Sequence, residues 1–293
     1  SERVSSDEYS LDNPQDFALW KAYKDEDGDA SWDSPWGKGR PGWHMECSAM
    51  SMAYLGDHFD IHCGGVDNKF PHHETEIAQS VCAVDTPFVN FWLHSEFLLA
   101  DGGKMSKSLG NFYCIPDLFE KGFRAEEIRY IMLSAHYRTK VNFTLDKQHE
   151  AKVSIRRIQE LQSLLEEMDS EVCDGFPTEM EQFNIAIEND LDSPNALAVF
   201  FEWIRNTNSK LDEKVFTEID VSKGLNFIAY FDSIYGILPK SGSAPKDVIG
   251  LVEEREDARQ NKDWEKSDKI RDQILEKGWT VKDKINGPKL TPK

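Results

Sequence analysis

Between His58 and Ala100 the chain changes its hydrophobic period twice, and this constrains its fold more than any other feature. The stretch "HFDIHCGG" (58–65) reads as a short strand ending in a glycine pair. "PHHETEIAQSVCAV" (71–84) reads as a helix, with Pro71 near its first position, where a missing N–H removes no bond. "FVNFWLHSEFLLA" (88–100) alternates bulky and β-branched side chains, the pattern of paired strands. Just before them "WHMECSAMSMAYL" (43–55) reads as another helix, with Met45, Met50 and Met52 among its apolar members. Helix, strand, helix, strand and loop in this order predict part of an α/β sheet domain.

The flanking regions differ in character. The spacing of Phe17, Leu19 and Trp20 in "PQDFALWKAY" (14–23) predicts a short helix. A Trp-, Gly- and Pro-rich loop follows it. From Asp146 to Leu238 the pattern is helical throughout. Val153, Ile155, Ile158, Leu161, Leu165 and Met168 recur at helical spacing, and Ser193–Pro194 predicts an N-cap with proline at the first helical position. "PKSGSAPKD" (239–247) is a linker by composition. "EEREDARQNKDWEKSDKIRDQILEKGW" (253–279) predicts one highly charged helix, ended by Gly278 and followed by a short tail.

A chain of 293 residues has room for about two domains. No apolar run approaches the roughly 18 residues that span a membrane. The first residues carry no basic segment followed by an apolar one, so no signal peptide is expected. Five irregularly spaced cysteines (47, 63, 82, 114, 173) fit a reducing compartment better than a disulfide framework. A cytoplasmic location and no membrane partner are therefore expected. The net charge of −19 argues against an indiscriminate nucleic-acid binder. Residues 251–293, however, hold 11 basic and 10 acidic side chains, so the whole acidic excess lies before them. A polyanion contact there competes with the plainer reading of a solvated tail.

Three constellations carry chemistry. His72 and Glu76 are i and i+4 on a predicted helix, so they share a face, and Cys47 comes from a separate helix. Thiolate, imidazole and carboxylate together suit Zn²⁺ and leave one tetrahedral position open. The same spacing also arises in ordinary packed helices, and His44, His62, His73 and Cys63 crowd the region. In "HCGGVD", Gly64 and Gly65 allow close backbone approach to a ligand beyond a strand end, and Asp67 could accept from ribose hydroxyls; a tight turn explains the glycines equally well. In "DGGKMSKSLGN", no P-loop is present, yet Lys104 and Lys107 stand beside Ser106 and Ser108 between flexible glycines. Two ammonium groups there could meet a triphosphate whose charge grows in a transition state. An ordinary polar loop is the alternative.

Taken together, "GWHMECSAM" (42–50), "HCGGVDNKFPHHETEIAQS" (62–80) and "KMSKSLGN" (104–111) resemble the class I aminoacyl-tRNA synthetases, and within them the cysteinyl-tRNA synthetase family. The resemblance covers essentially the whole chain. It implies the second half of a Rossmann-like α/β catalytic domain, followed by an all-α helical bundle and a small C-terminal domain. The segments it implies are the end of a connecting region (1–40), the second half of the nucleotide-binding fold (41–92), a lysine loop with a tRNA stem-contact region (93–145), the bundle (146–238), and a linker with an anticodon-binding region (239–293). The implied activity is ATP-dependent formation of cysteinyl-adenylate and transfer of the cysteinyl group to tRNA(Cys). Cys47, His72 and Glu76 would be zinc ligands. Trp43 and His62 would line the amino-acid pocket, and Gly64, Gly65 and Asp67 would face adenosine. Lys104 and Lys107 would steady the triphosphate, with Mg²⁺ accompanying ATP. Arg259, Lys262, Lys266 and Lys269 would form a basic stripe toward RNA phosphate, with Trp264 or Trp279 to stack on a base. A monomer is expected.

The chain departs from the family pattern in several respects, with Asn68, Lys69 and Thr75 less usual choices within the second motif. The family's His-x-Gly-His signature and a further zinc-binding cysteine are not found, and no cysteine precedes Cys47. The expectation is a C-terminal two-thirds piece that is inactive alone. Two other readings share these motifs: a cysteine ligase acting on an amino sugar, and a non-catalytic fragment that binds tRNA or a partner.

Overall fold

The computed structural model describes residues 16–106, 108, 110–238, 245–284 and 287–292. The chain divides into two compact units, one of Ser1–Lys104 with Tyr137–Asn142 and the other of Met105–His136 with Phe143–Lys293.

In the first unit, strand β1 (Trp20–Ala22) pairs antiparallel with β2 (Gly39–Pro41), Trp20 opposite Pro41. The helix expected over 14–23 is therefore corrected to a strand, with Pro14 and Gln15 outside the described residues. Three apolar residues satisfied a helical period, but a pairing partner some twenty positions away decided the local conformation. Helix α1 (Trp43–Leu55) and strand β3 (Phe59–Gly65) follow. Helix α2 (His72–Val84) then leads to strand β4 (Val89–Ser95), which pairs in parallel with β3. A parallel pair needs a crossover, and α2 provides it. His62 lies opposite Trp92 and Gly64 opposite His94 in the register.

Strand β5 (Leu98–Ala100) turns back into β6 (Gly103–Lys104) through Asp101 and Gly102, at φ 52° and 79°. Asp-Gly is the residue pair that a two-residue hairpin with positive φ at both positions prefers. The same β5 is flanked on its other edge by β7 (Val141–Phe143). The lysine motif thus begins on a hairpin strand rather than in open loop.

In the second unit, two helices occupy a stretch in which the sequence suggested none: α3 (Ile115–Glu120) and α4 (Ala125–Leu133). They pack Leu118, Phe123, Ile128 and Ile131 against Phe143 and Ala151. Four longer helices build the main core: α5 (Lys147–Glu166), α6 (Glu179–Glu188), α7 (Ser193–Asp212) and α8 (Glu218–Tyr235). Ile155, Ile158, Leu161 and Leu165 line the inner face of α5, as the period predicts. Val153 is instead exposed, because two residues on a helix are some 200° apart. The cap of α7 lies one position earlier than expected. Asp192 accepts from the Asn195 amide, while the Ser193 hydroxyl donates to the Leu133 carbonyl.

The charged helix expected over 253–279 is two helices, α9 (Lys246–Gln260) and α10 (Trp264–Glu276). Lys262 takes φ 59° between them, and the Asp263 carboxylate accepts the Lys266 amide as a new N-cap. Continuous charge concealed a cap-forming "NKD". The expected tail is a hairpin of β8 (Trp279–Lys284) and β9 (Gly287–Pro292). The linker segment 239–244 lies outside the described residues. No helix among the described residues is long and apolar enough to cross a membrane.

Candidate metal and substrate site

Helix periodicity places Trp43 and Cys47 on one side of α1, with His44 and Ser48 beside them, and His72, Glu76 and Ser80 in line on α2. A Cys47, a His72 and a Glu76 ligand atom lie within 4.8 Å of one another. The α1 thiol and the α2 imidazole and carboxylate therefore converge. A second set, His62, His73 and Glu76, meets the same distance limit and shares the carboxylate.

Glu76 is fully buried and stands between two imidazoles. His72 Nε2 is 2.9 Å from one oxygen and His62 Nε2 is 3.2 Å from the other. Neither oxygen receives a well-aligned hydrogen bond. Burial pushes the Glu76 carboxyl up to about 7, against a smaller opposing pull from the Cys47 thiol. Burial, and then the Glu76 charge, pushes the Cys47 thiol up to about 11. Burial, followed by the neighbouring His44 and His62, drives His72 down to about 4. Burial thus works against the charged form of each group. A carboxylate, a thiolate and a neutral imidazole are what a divalent cation requires, and its charge would reverse the first two shifts. The donor set fits zinc: soft sulfur, nitrogen and oxygen, with His72 and Glu76 engaged from one helix face.

The surrounding contacts order these groups. Trp43, half exposed, stacks on His72 with centroids 4.1 Å apart and planes 17° apart. His72 Nδ1 lies 2.6 Å from His44 Nδ1. His73 Nδ1 lies 2.8 Å from His94 Nε2. Trp92 packs on both His62 and His73 at 4.8 Å. His94, Trp92 and Gln79 were not anticipated as part of the site. The signal lay in strand alternation: with β3 and β4 in parallel register, His62, Gly64, Trp92 and His94 fall on paired alternate positions.

The glycine pair has a local cause. A Cβ on Gly64 would stand 2.6 Å from His73 Cε1, and one on Gly65 would stand 2.4 Å from Asp67 Oδ1. The first glycine admits the His73 ring and the second admits the Asp67 carboxylate. Asp67 itself is exposed, in a short 3-10 turn at the carboxyl end of β3. The two parallel strands end together at Gly65 and Ser95, the position where open α/β sheets receive ligands.

The remaining site residues are dispersed. Lys104 is exposed on β6, and Lys107 lies outside the described residues. Beyond Lys104, the Ser106 amide donates to Asn111 Oδ1 at 2.9 Å, and the Ser106 and Ser108 hydroxyls are 2.8 Å apart. The basic stripe on one helix is not formed. Arg259 belongs to α9, where it pairs with Asp283 at 3.1 Å and lies 5.8 Å from the Trp264 ring. Lys262 is in the turn, and Lys266 and Lys269 are on α10, with Lys269 paired to Glu265 at 2.8 Å. Trp264 is exposed and Trp279 half-buried.

Comparison with known proteins identifies the family. A family described as "tRNA synthetases class I (C) catalytic domain" matches residues 2–153, and one described as "Cysteinyl-tRNA ligase anticodon binding domain" matches residues 242–288. A cysteine–tRNA ligase of Chlamydia muridarum is 46% identical over 99% of the chain, and one of Brachyspira hyodysenteriae is 44% identical over 99%. The chain spans 65% and 64% of the lengths of these two relatives. Among solved structures, the Agrobacterium radiobacter LeuRS–tRNA–LeuAMS ternary complex superimposes with a TM-score of 0.54 at 14% identity, covering 72% of this chain and 32% of that one. That likeness is one of fold, mixed α/β with helices. With more than half of its length matched by the catalytic-domain family, the chain belongs to the class I tRNA synthetases of the (C) type.

Proposed function

We propose that the chain is the cysteine-recognising and tRNA-binding portion of a cysteine–tRNA ligase. The enzyme would activate cysteine with ATP to cysteinyl-adenylate and transfer it to tRNA(Cys). The observation that carries this reading is the convergence of one ligand atom each from Cys47, His72 and Glu76 within 4.8 Å of one another, His72 and Glu76 being buried. These residues would hold the zinc. When bound, the metal supplies a soft Lewis-acid contact that a thiolate satisfies and a hydroxyl does not, the chemical difference between cysteine and serine. Trp43 and His62, against His72 and Glu76, would wall the side-chain pocket.

In this reading the β3–α2–β4 unit is the second half of a Rossmann-like sheet, within residues 41–92. Gly64, Gly65 and Asp67, at its carboxyl edge, would meet the nucleotide. Lys104 and Lys107 would meet the triphosphate, with Mg²⁺ carried by ATP. Residues 1–40 would end the connecting region and 93–145 would reach the acceptor stem. The bundle of 146–238 would lead to an anticodon-binding region in 239–293. There Arg259, Lys262, Lys266 and Lys269, on two helices and their turn, would meet phosphates. The anticodon-binding match over 242–288 supports tRNA over an amino sugar as acceptor. All five cysteines are free thiols, which supports a reducing, cytoplasmic setting.

Cobalt(II) titration of the purified chain tests the reading. Cysteine should add a thiolate-to-cobalt charge-transfer band that serine does not produce. Cys47→Ser and His72→Ala should lose it. A wild-type chain that takes up no cobalt, or responds equally to serine, overturns the assignment.

A further inference from the structure

We infer that His44 is a positioning residue for the proposed cation site: its Nδ1 accepts the proton on His72 Nδ1 and so leaves His72 Nε2 a bare lone pair facing Glu76. The inference rests on the cation reading above.

The geometry is specific. His44 is buried on α1, and its Nδ1 is 2.6 Å from that of His72. Two imidazole nitrogens at that distance share one proton, so one ring donates and the other accepts. His72 Nε2 is 2.9 Å from Glu76 Oε1. A nitrogen that coordinates a cation is unprotonated, so a neutral His72 carries its proton on Nδ1. His44 Nδ1 is then the acceptor. Metal-binding imidazoles are commonly oriented by a carboxylate or carbonyl on the other nitrogen. An imidazole acceptor does the same work here without placing a second carboxylate beside Glu76.

The fold holds His44 in this pose from two sides. Gln79 Nε2, on α2, donates to the His44 carbonyl oxygen and, at 2.6 Å, to the Ser48 hydroxyl. The Ser80 hydroxyl donates to the same Ser48 oxygen at 2.9 Å. The helix that carries His72 thus grips the turn that carries His44. The Trp43 ring lies over His72 and limits its rotation.

Two substitutions separate this role from simple packing. His44→Phe keeps a ring of similar bulk and loses the acceptor. His44→Asn gives up the ring but places Oδ1 near the former Nδ1. Cobalt(II) and zinc affinities are measured by chelator competition, with the cobalt d–d spectrum as a report on ligand geometry. His44→Phe should weaken binding about 10- to 100-fold and alter the spectrum, while His44→Asn should stay close to the wild type. A space-filling residue gives the reverse order. That order, or equal affinity in all three proteins, overturns the inference. A wild type that binds cobalt no better than His72→Ala overturns the cation reading itself, and this inference with it.

Discussion

The helical bundle and the α1–β3–α2–β4 region bury side chains for opposite reasons. In the bundle Phe183, Phe200, Phe227, Phe231 and Tyr235 are almost wholly enclosed and touch one another. Phe200 stacks on Phe231 at 3.8 Å, and Phe231 on Tyr235 at 4.4 Å. Even the polar end of Tyr235 is satisfied, donating to the Ser193 carbonyl at 2.8 Å. In the α/β region Phe59 and Phe88 are buried, but most of the enclosed side chains are polar: His44, Ser48, His72, His73, Thr75, Glu76 and Ser80. Burial there displaces the titration of Cys47, His72, His73 and Glu76 from ordinary values. Apolar burial stabilises a fold directly; polar burial without full pairing opposes it and is retained where a ligand repays it. The bundle is built for stability and the α/β region for binding.

The largest expected effect tests the first half of this contrast. Phe200→Ala should cost about 3–5 kcal/mol of stability by chemical denaturation, because a stacked aromatic leaves a cavity that its neighbours cannot close. A loss under about 1 kcal/mol would mean the bundle is loosely packed and the contrast is overstated.

A change of opposite sign is expected in the α/β region. Glu76→Gln keeps the shape, removes a buried ionisable carboxyl, and supplies an amide N–H that can donate to a bare imidazole nitrogen. In chelator it should raise stability by about 1 kcal/mol. In zinc it should weaken metal binding. Destabilisation of the metal-free chain would show that the two histidines already satisfy the carboxylate.

The smallest effect concerns a pair that lies between these extremes. Arg255 is buried and reaches Asp283 with two hydrogen bonds, at 2.7 and 3.0 Å. The Arg255 hydrogen bonds hold the Asp283 carboxyl below the usual carboxylate range. A depressed folded pKa contributes stability that is present above about pH 4 and is lost as pH falls through the folded value. Asp283 is half exposed, so screening limits the contribution to at most about 1 kcal/mol. Melting followed by circular dichroism at pH 5 and pH 3 should show Asp283→Asn with a shallower acid loss than the wild type. Parallel acid limbs would assign the loss to other carboxylates.

Much of this was legible before any coordinates. The βαβ order, the inner face of α5 and the placing of His72 and Glu76 on one helix face follow from periodicity. The strand at Trp20–Ala22 was not legible, because its partner is distant in sequence. The break at Lys262 was hidden by a charge pattern that suits either one helix or two. The histidines around Glu76 were visible as a crowd, but their pairing was not.

The sequence by itself determined which donors exist and which helix face carries each, since 3.6 residues per turn fixes that locally. Only the tertiary structure decided that His44 meets His72 through Nδ1, that His62 takes the second Glu76 oxygen, and that Gly64 makes room for His73. Those contacts depend on how α1, α2 and the parallel strands pack. Packing is set by long-range burial and register, which no local pattern encodes.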